Sequence, residues 1–269
     1  MNKKTKYIFA SISALLVLLA FGAIAFASGN GTEIGFWEEF KGDIYQNFIE
    51  DNRWKYIVTG LKNTLFISFF AVIIGLVVGF LIAIVRSSCD MMEKPNIFLK
   101  ILNAIMKAYI TVIRGTPVLI QLLIIYYVIF ASSDVSKFFV SVVAFGVNSS
   151  AYMAEIVRSG IMSVDSGQFE AGRSLGFTHA QTMWHFILPQ AFKNILPALG
   201  NEFIVLIKET SVAGYIGVDE LTRGGDFIRS RTFEALLPLL AVALVYLVIV
   251  MILTALVSKM ERRLRTDGK

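Results

Sequence analysis

What this 269-residue sequence has least of is charge: Asp, Glu, Lys and Arg together make up 17% of it, while 56% is hydrophobic. Soluble domains carry about 25% charged residues. A chain so composed cannot cover a water-facing sphere, which excludes an ordinary soluble domain. Cysteine is nearly missing, and the single Cys89 excludes an internal disulfide. The two histidines, His179 and His185, have no second pair of ligands near them, so no metal site is assigned. No G-x-x-x-x-G-K-[ST] phosphate-binding loop occurs. Nor is there a clustered set of nucleophile, base or metal ligands, so no catalytic residue is assigned. The net charge of +5 does not call for nucleic acid, because the positive residues sit between apolar segments rather than on one basic surface.

What is there, in quantity, is uninterrupted apolar sequence. Residues 63–85, 115–133, 138–154 and 235–258 contain no charge at all. A hydrocarbon core about 30 Å thick is crossed by roughly 20 apolar residues in a helix. Backbone donors in lipid must be satisfied within the segment, which leaves helices or closed barrels. The runs do not alternate as barrel strands do. The expected fold class is therefore all-α: a membrane helical bundle with five core transmembrane helices, a possible N-terminal one, and a cytoplasmic loop.

Residues 1–27 have two readings. Lys3, Lys4 and Lys6 precede an apolar run ending in Ala25-Phe26-Ala27, as in a cleaved signal peptide, yet the run is also long enough to span. Either way residues 28–54 form a short extracytoplasmic segment. Lys and Arg then orient the rest. Residues 56–85 cross inward and 97–130 return, interrupted at Arg114-Gly115-Thr116-Pro117. Residues 138–161 cross inward, 195–216 outward and 235–257 inward again. The span-bearing domain is 55–258, and 259–269 is a cytoplasmic basic tail with Lys259, Arg262, Arg263 and Arg265. Against the rule, the outer loop 217–232 holds Arg223, Arg229 and Arg231. Ala71, Gly75, Gly79 and Ala83 recur every four residues, a small-residue ridge for close helix packing.

The cytoplasmic stretch 163–189 is too polar to span. Asp165 with Gln168, and Thr178 with Gln181, read as two helix starts. Gly176 lies where the first helix would end left-handed, and Pro189 is expected to stop the second. Phe169, Leu175, Phe177, Trp184 and Phe186 give this helix-turn-helix an apolar load that needs a docking partner.

Glu170-Ala171-Gly172, then Gly176, then Phe186-Ile187-Leu188-Pro189 resembles the "EAA" loop of type I ABC importer permeases: E-A-A, three residues, G, nine residues, I-x-L-P. Gly172 stands at the second Ala and Phe186 at the Ile, each keeping a small or an apolar side chain. Further likeness, to the polar amino acid branch, lies in Arg114-Gly115-Thr116-Pro117 with Gln121. It continues in Ala151-Tyr152-x-Ala154-Glu155-Ile156-x-Arg158-x-Gly160-Ile161, Leu196-Pro197-Ala198-Leu199-x-Asn201 and Lys208-x-Thr210-Ser211. The resemblance covers most of the chain from residue 56 onward. It implies a multi-pass protein of a prokaryotic cytoplasmic (inner) membrane, among membrane lipid. It also implies two ABC ATPase subunits that bind ATP and Mg, a second permease subunit (itself or a paralogue), and an extracytoplasmic substrate-binding protein. The docking set would be Phe169, Glu170, Ala171, Gly172, Leu175, Gly176, Phe177, Leu188 and Pro189. This chain itself would hold no cofactor.

A zwitterionic substrate must exchange water for charge partners, and ionisable groups within spans are candidates for that role. Arg114 suits a carboxylate and Glu155 an ammonium; alternatively the two pair with each other, or Arg114 snorkels to headgroups. Asn148, Tyr152 and Glu155 share one helix face. Gln121, Asn201 and Lys208 complete the candidate substrate set. The competing functions are an ion-gradient-driven transporter, which predicts inverted repeats and paired broken helices, a non-transporting scaffold, and an ABC permease of another substrate branch.

Overall fold

A computed structural model describes residues 33–266 apart from Glu93. Both readings of residues 1–27 lie outside the described residues, as does the start of the 28–54 segment. The chain divides at Trp54 into two units. In the first, α1 (Glu33–Ile44) runs into a wide turn at Tyr45–Ile49 and a tight one at Glu50–Asn52. Arg53 pairs there with Glu50 and Asp51.

Every regular element among the described residues of the second unit is a helix. Its elements are α2 (Trp54–Met91), α3 (Ile97–Gly115), α4 (Val118–Ile124), α5 (Lys137–Met162), α6 (Gly167–Ser174), α7 (His179–Thr182), α8 (Leu188–Glu209), α9 (Leu221–Thr232) and α10 (Leu236–Thr266). Helices α2, α5 and α10 are long and apolar enough to cross a membrane, and the bent pair α3–α4 makes up to a fourth span. The fifth expected crossing, 195–216, falls on α8 and a tight turn at Thr210–Ile216, and α8 is not among the helices apolar enough to qualify as a span. It carries Lys193, Asn201, Glu202, Lys208 and Glu209 and packs between α5 and α10. Helix α5 is the most buried span and α10 the least, so α5 is the axis of the bundle and α10 lies at its surface.

The small-residue ridge on α2 is a packing seam. Ala71 and Ala83 are fully buried. A Cβ on Gly79 would lie 2.8 Å from the Ser150 carbonyl and 2.9 Å from the Ala154 nitrogen of α5. At 38 residues, α2 is about 57 Å long, so it overshoots the expected 56–85 span and carries Arg86 and Asp90 past it.

The 97–130 return is not a straight crossing. Helices α3 and α4 meet at 108°. Pro117 has no N–H and orphans the carbonyl four residues back. Gln121 repairs the break: its Nε2 donates to the Ile113 carbonyl at 2.7 Å and to the Thr116 carbonyl and hydroxyl at 3.1 and 2.8 Å.

One expectation is corrected. Pro189 does not stop a helix. The chain passes from α7 through a wide turn at Met183–Ile187 directly into α8, with Pro189 in the first turn of α8. That widened turn lets the proline ring clear the preceding carbonyls, and a first-turn proline lacks only a donor that would be unused there. The outer loop 217–232 contains α9. Glu220 caps that helix, accepting from the Thr222 and Arg223 backbone N–H groups at 2.7 Å each. Gly224 and Gly60 let backbones touch: a Cβ on either would sit 2.6 Å from the carbonyl oxygen of Tyr56 or Glu220 respectively.

Candidate functional site: the coupling loop and the polar interior

The 163–189 stretch folds as its start signals require, with one shift. Asp165 Oδ1 accepts from the Gly167 N–H at 2.7 Å, so α6 begins at Gly167 without the Gln168 partnership. The second box is complete: the Thr178 N–H donates to Gln181 Oε1 at 2.9 Å and the Gln181 N–H to Thr178 Oγ1 at 3.3 Å. Gly176 has φ +85, and the N–H groups of Gly176 and Phe177 close α6 onto the Arg173 and Gly172 carbonyls.

Gly172 is buried, and a Cβ there would lie 2.6 Å from Thr182 Cγ2. This contact accounts for glycine where the motif usually has alanine. Phe169 and Leu188 pack inward on Ile161, Ile187 and Ala191, and Phe177 meets Phe186 edge to face at 5.2 Å. These side chains build the knob. What the knob presents outward is Glu170, Ala171, Leu175, Gly176 and Pro189, together with Trp184, which the docking set omitted. Leu175 is 73% exposed and Trp184 69%. Of the five apolar side chains expected to need a docking partner, Leu175 and Trp184 face out while Phe169, Phe177 and Phe186 pack within the knob.

The polar interior divides into separate partnerships. Asn148 donates to Gln121 Oε1 at 2.9 Å, which places both at the α3–α4 bend. The Arg114 guanidinium lies 5.1 Å from the Tyr152 ring centroid, an exposed cation–π contact. The alternative in which Arg114 pairs with Glu155 is not realised. Glu155 instead accepts from Arg86 Nη1 and, through its other oxygen, from Arg158 Nη2 and Nε at 2.6 and 3.0 Å. Arg158 Nη1 also holds Asp90 at 3.0 Å. Two arginines therefore engage the carboxylate expected to meet an ammonium. Asn201 and Lys208 are exposed on α8, apart from these pairs. Glu202, on the same helix, accepts from Ser149 at 3.5 Å.

On the outer side, the Glu220 carboxyl is 1% exposed and lies 3.5 Å from the Tyr246 hydroxyl. Burial pushes its pKa up to about 7, against the lowering effect of the two backbone N–H groups it caps.

The chain is a helical bundle that sends a capped, partly apolar knob out of its apolar core. The chain belongs to the family described as binding-protein-dependent transport system inner membrane component, which matches residues 75–266. It is 37% identical over 214 residues to the arginine transport system permease protein ArtQ of Bacillus subtilis (strain 168), covering 79% of this chain and 94% of that one. It is 38% identical to the glutamine transport system permease protein GlnP of Escherichia coli (strain K12), with 78% and 93% covered. To the L-cystine transport system permease protein TcyB of Bacillus subtilis (strain 168) it is 36% identical, with 81% and 90% covered. Among solved structures, an amino acid ABC transporter with histidines superposes with a TM-score of 0.71 at 43% identity, over 80% of this chain and 98% of that one. The MetNI methionine ABC transporter, at 19% identity and a TM-score of 0.67, shares the fold.

Proposed function

We propose that this chain is the permease subunit of an ATP-driven importer of polar amino acids, seated in the cytoplasmic membrane of a prokaryote. A binding protein delivers substrate from outside. Two ATPase subunits dock on the 165–189 loops of a permease dimer, formed with a second copy or a paralogue, and they alone bind ATP and Mg. Their closure moves the loop, the bundle opens outward to accept substrate, and hydrolysis resets it inward. Substrate class follows the relatives named for arginine, glutamine and cystine transport. The observation that carries the reading is the outward pair Leu175 and Trp184 on a knob fixed by the left-handed Gly176 and the Thr178–Gln181 box. Such apolar exposure in water is stabilised by a partner.

The test is co-purification with cognate ATPase subunits, wild type against Gly176→Asp. Nothing lies within 4 Å of a Cβ at that position, so the change adds a charge and left-handed strain of about 1–2 kcal/mol without a clash. Loss of the complex while the chain still inserts supports the reading. A wild type that binds no ATPase overturns it. Stimulation of hydrolysis by arginine, glutamine or cystine with the binding protein present then tests substrate class.

A further inference from the structure

We propose that Arg86, Asp90, Glu155 and Arg158 form a register lock between α2 and α5, through which movement of the coupling loop is passed to α2. The inference rests on the importer reading above and adds the route the movement takes.

The α2–α5 seam is made of small residues on both sides. Ala71, Gly75, Gly79 and Ala83 lie against Ser149, Ser150 and Ala154, with Met153 and Ile74 crossing it. Seams of this kind bring backbones close, but small side chains interdigitate little, so they resist separation better than sliding along the axis. The four charges continue the same seam at its inner end. Arg86 and Asp90 follow Ala83 at steps of three and four on α2, and Glu155 and Arg158 stand on the last two turns of α5.

The connections are directional. Glu155 takes Arg86 on one oxygen and Arg158 on the other, and Arg158 reaches back to Asp90. Two cations and two anions close on each other. Arg86 is 9% exposed, so sliding that parts it from Glu155 would leave a buried, uncompensated charge. The lock therefore penalises the axial motion that the seam itself tolerates.

Its position gives that penalty a use. Helix α5 ends at Met162, one turn beyond Arg158, and the coupling loop follows. Ser163 at that junction is also held by Asn194 of α8 at 3.0 Å. At the far end α2 is fastened to the outer segment: the Leu221 N–H donates to Thr64 Oγ1 at 3.1 Å, and Asn63 Nδ2 donates to the Asp219 carbonyl at 2.7 Å. With the lock closed, α2 travels with α5 and α8 and takes the outer segment along. With it open, α2 lags.

The experiment uses the full complex with ATPase subunits and binding protein in nanodiscs, in a Cys89→Ser background. Spin labels at Leu65 on α2 and Leu247 on α10, which packs against α8, report their separation without nucleotide and after trapping with ATP and vanadate. Wild type is expected to hold one α2–α10 distance in both states. Two double variants, Arg86→Gln with Asp90→Asn and Arg86→Gln with Arg158→Gln, remove both cross-helix pairs; they are expected to assemble and hydrolyse ATP, yet to show a nucleotide-dependent shift of about 5 Å, the order of one helical turn. Asp90→Glu, which keeps the charge, should hold the wild-type distance. A distance that stays constant in both variants overturns the lock, as does a wild type whose distance already changes. Failure of both variants to assemble makes the network a stability element only and also overturns it. A wild-type chain that binds no ATPase is a different result, and it removes the importer reading itself.

Discussion

Replacing Gln121 by Leu should damage the bend between α3 and α4 more than the loss of one polar side chain suggests. In the wild type, Nε2 serves the Ile113 carbonyl orphaned by Pro117, and Oε1 accepts from Asn148. Leucine at that position leaves two buried groups without partners, the carbonyl and the Asn148 amide. Orphaned groups cost about 1–3 kcal/mol each, while single polar contacts within membranes average about 0.6 kcal/mol. The sum lies between about 1 and 6 kcal/mol, and about 2 is the working figure, because unfolded segments in detergent find substitute partners. For 150–250 residues each kcal/mol moves Tm by about 2–4 °C, so a drop of about 4–8 °C is expected in thermal unfolding of the purified chain. The decisive measurement is the double variant Gln121→Leu with Asn148→Leu. It removes the stranded amide as well as its partner, so its loss should be smaller than the sum of the singles by more than about 0.5 kcal/mol. Strict additivity, or a Tm unchanged in Gln121→Leu, would refute the repair role.

Glu220 makes stability fall with rising pH. Its folded-state pKa of about 7 lies above the ordinary 4.5, so the folded form retains a proton that the unfolded form has lost. That stabilisation is full below 4.5, declines as pH rises, and is gone above 7, a loss of about 3 kcal/mol. Glu220→Gln keeps an acceptor for α9 and should flatten a Tm–pH curve measured from pH 4.5 to 8.5, and an unchanged slope would contradict the assignment. Gly172→Ala should lower Tm by a few degrees through its clash with Thr182, by about 1–3 kcal/mol of overpacking, and Thr182→Ser should recover part of it. If the single variant is neutral, the contact is loose. Gly79→Val meets α5 backbone on two sides and should prevent recovery of folded chain in detergent, whereas a Val in place of Gly42, with open space around it, should be recovered normally.

The spans and the Thr178–Gln181 start were legible because each depends on residues within a few turns: apolar length for the first, an N-cap and its N3 partner for the second. Helix α9 was not, because Gly224 and Gly225 and three arginines disguise it, while what sustains it is a cap by buried Glu220 and backbone contact with Tyr56 and Gly60 of α2, about 160 residues away in sequence. Arg86 as a partner of Glu155 was not legible for the same reason. Arg86 is 69 residues away in sequence, and only the α2–α5 seam makes them neighbours. Pro189 misled in the opposite sense: the local rule was sound, but a widened turn just upstream removed the clash on which it depends.

The unbroken run from α7 through Met183–Ile187 into α8 gives the loop motif an angular meaning. Each residue of a helix advances its direction by about 100°. One residue added or removed between Thr182 and Leu188 would swing the face bearing Leu175 away from its orientation relative to the bundle, and would shift Phe186 and Ile187 against Phe177 and Phe169 as it did so. Residue count in that turn is thus a bearing: it sets the compass direction in which the knob meets its partner, and side-chain substitution elsewhere in the loop cannot correct it.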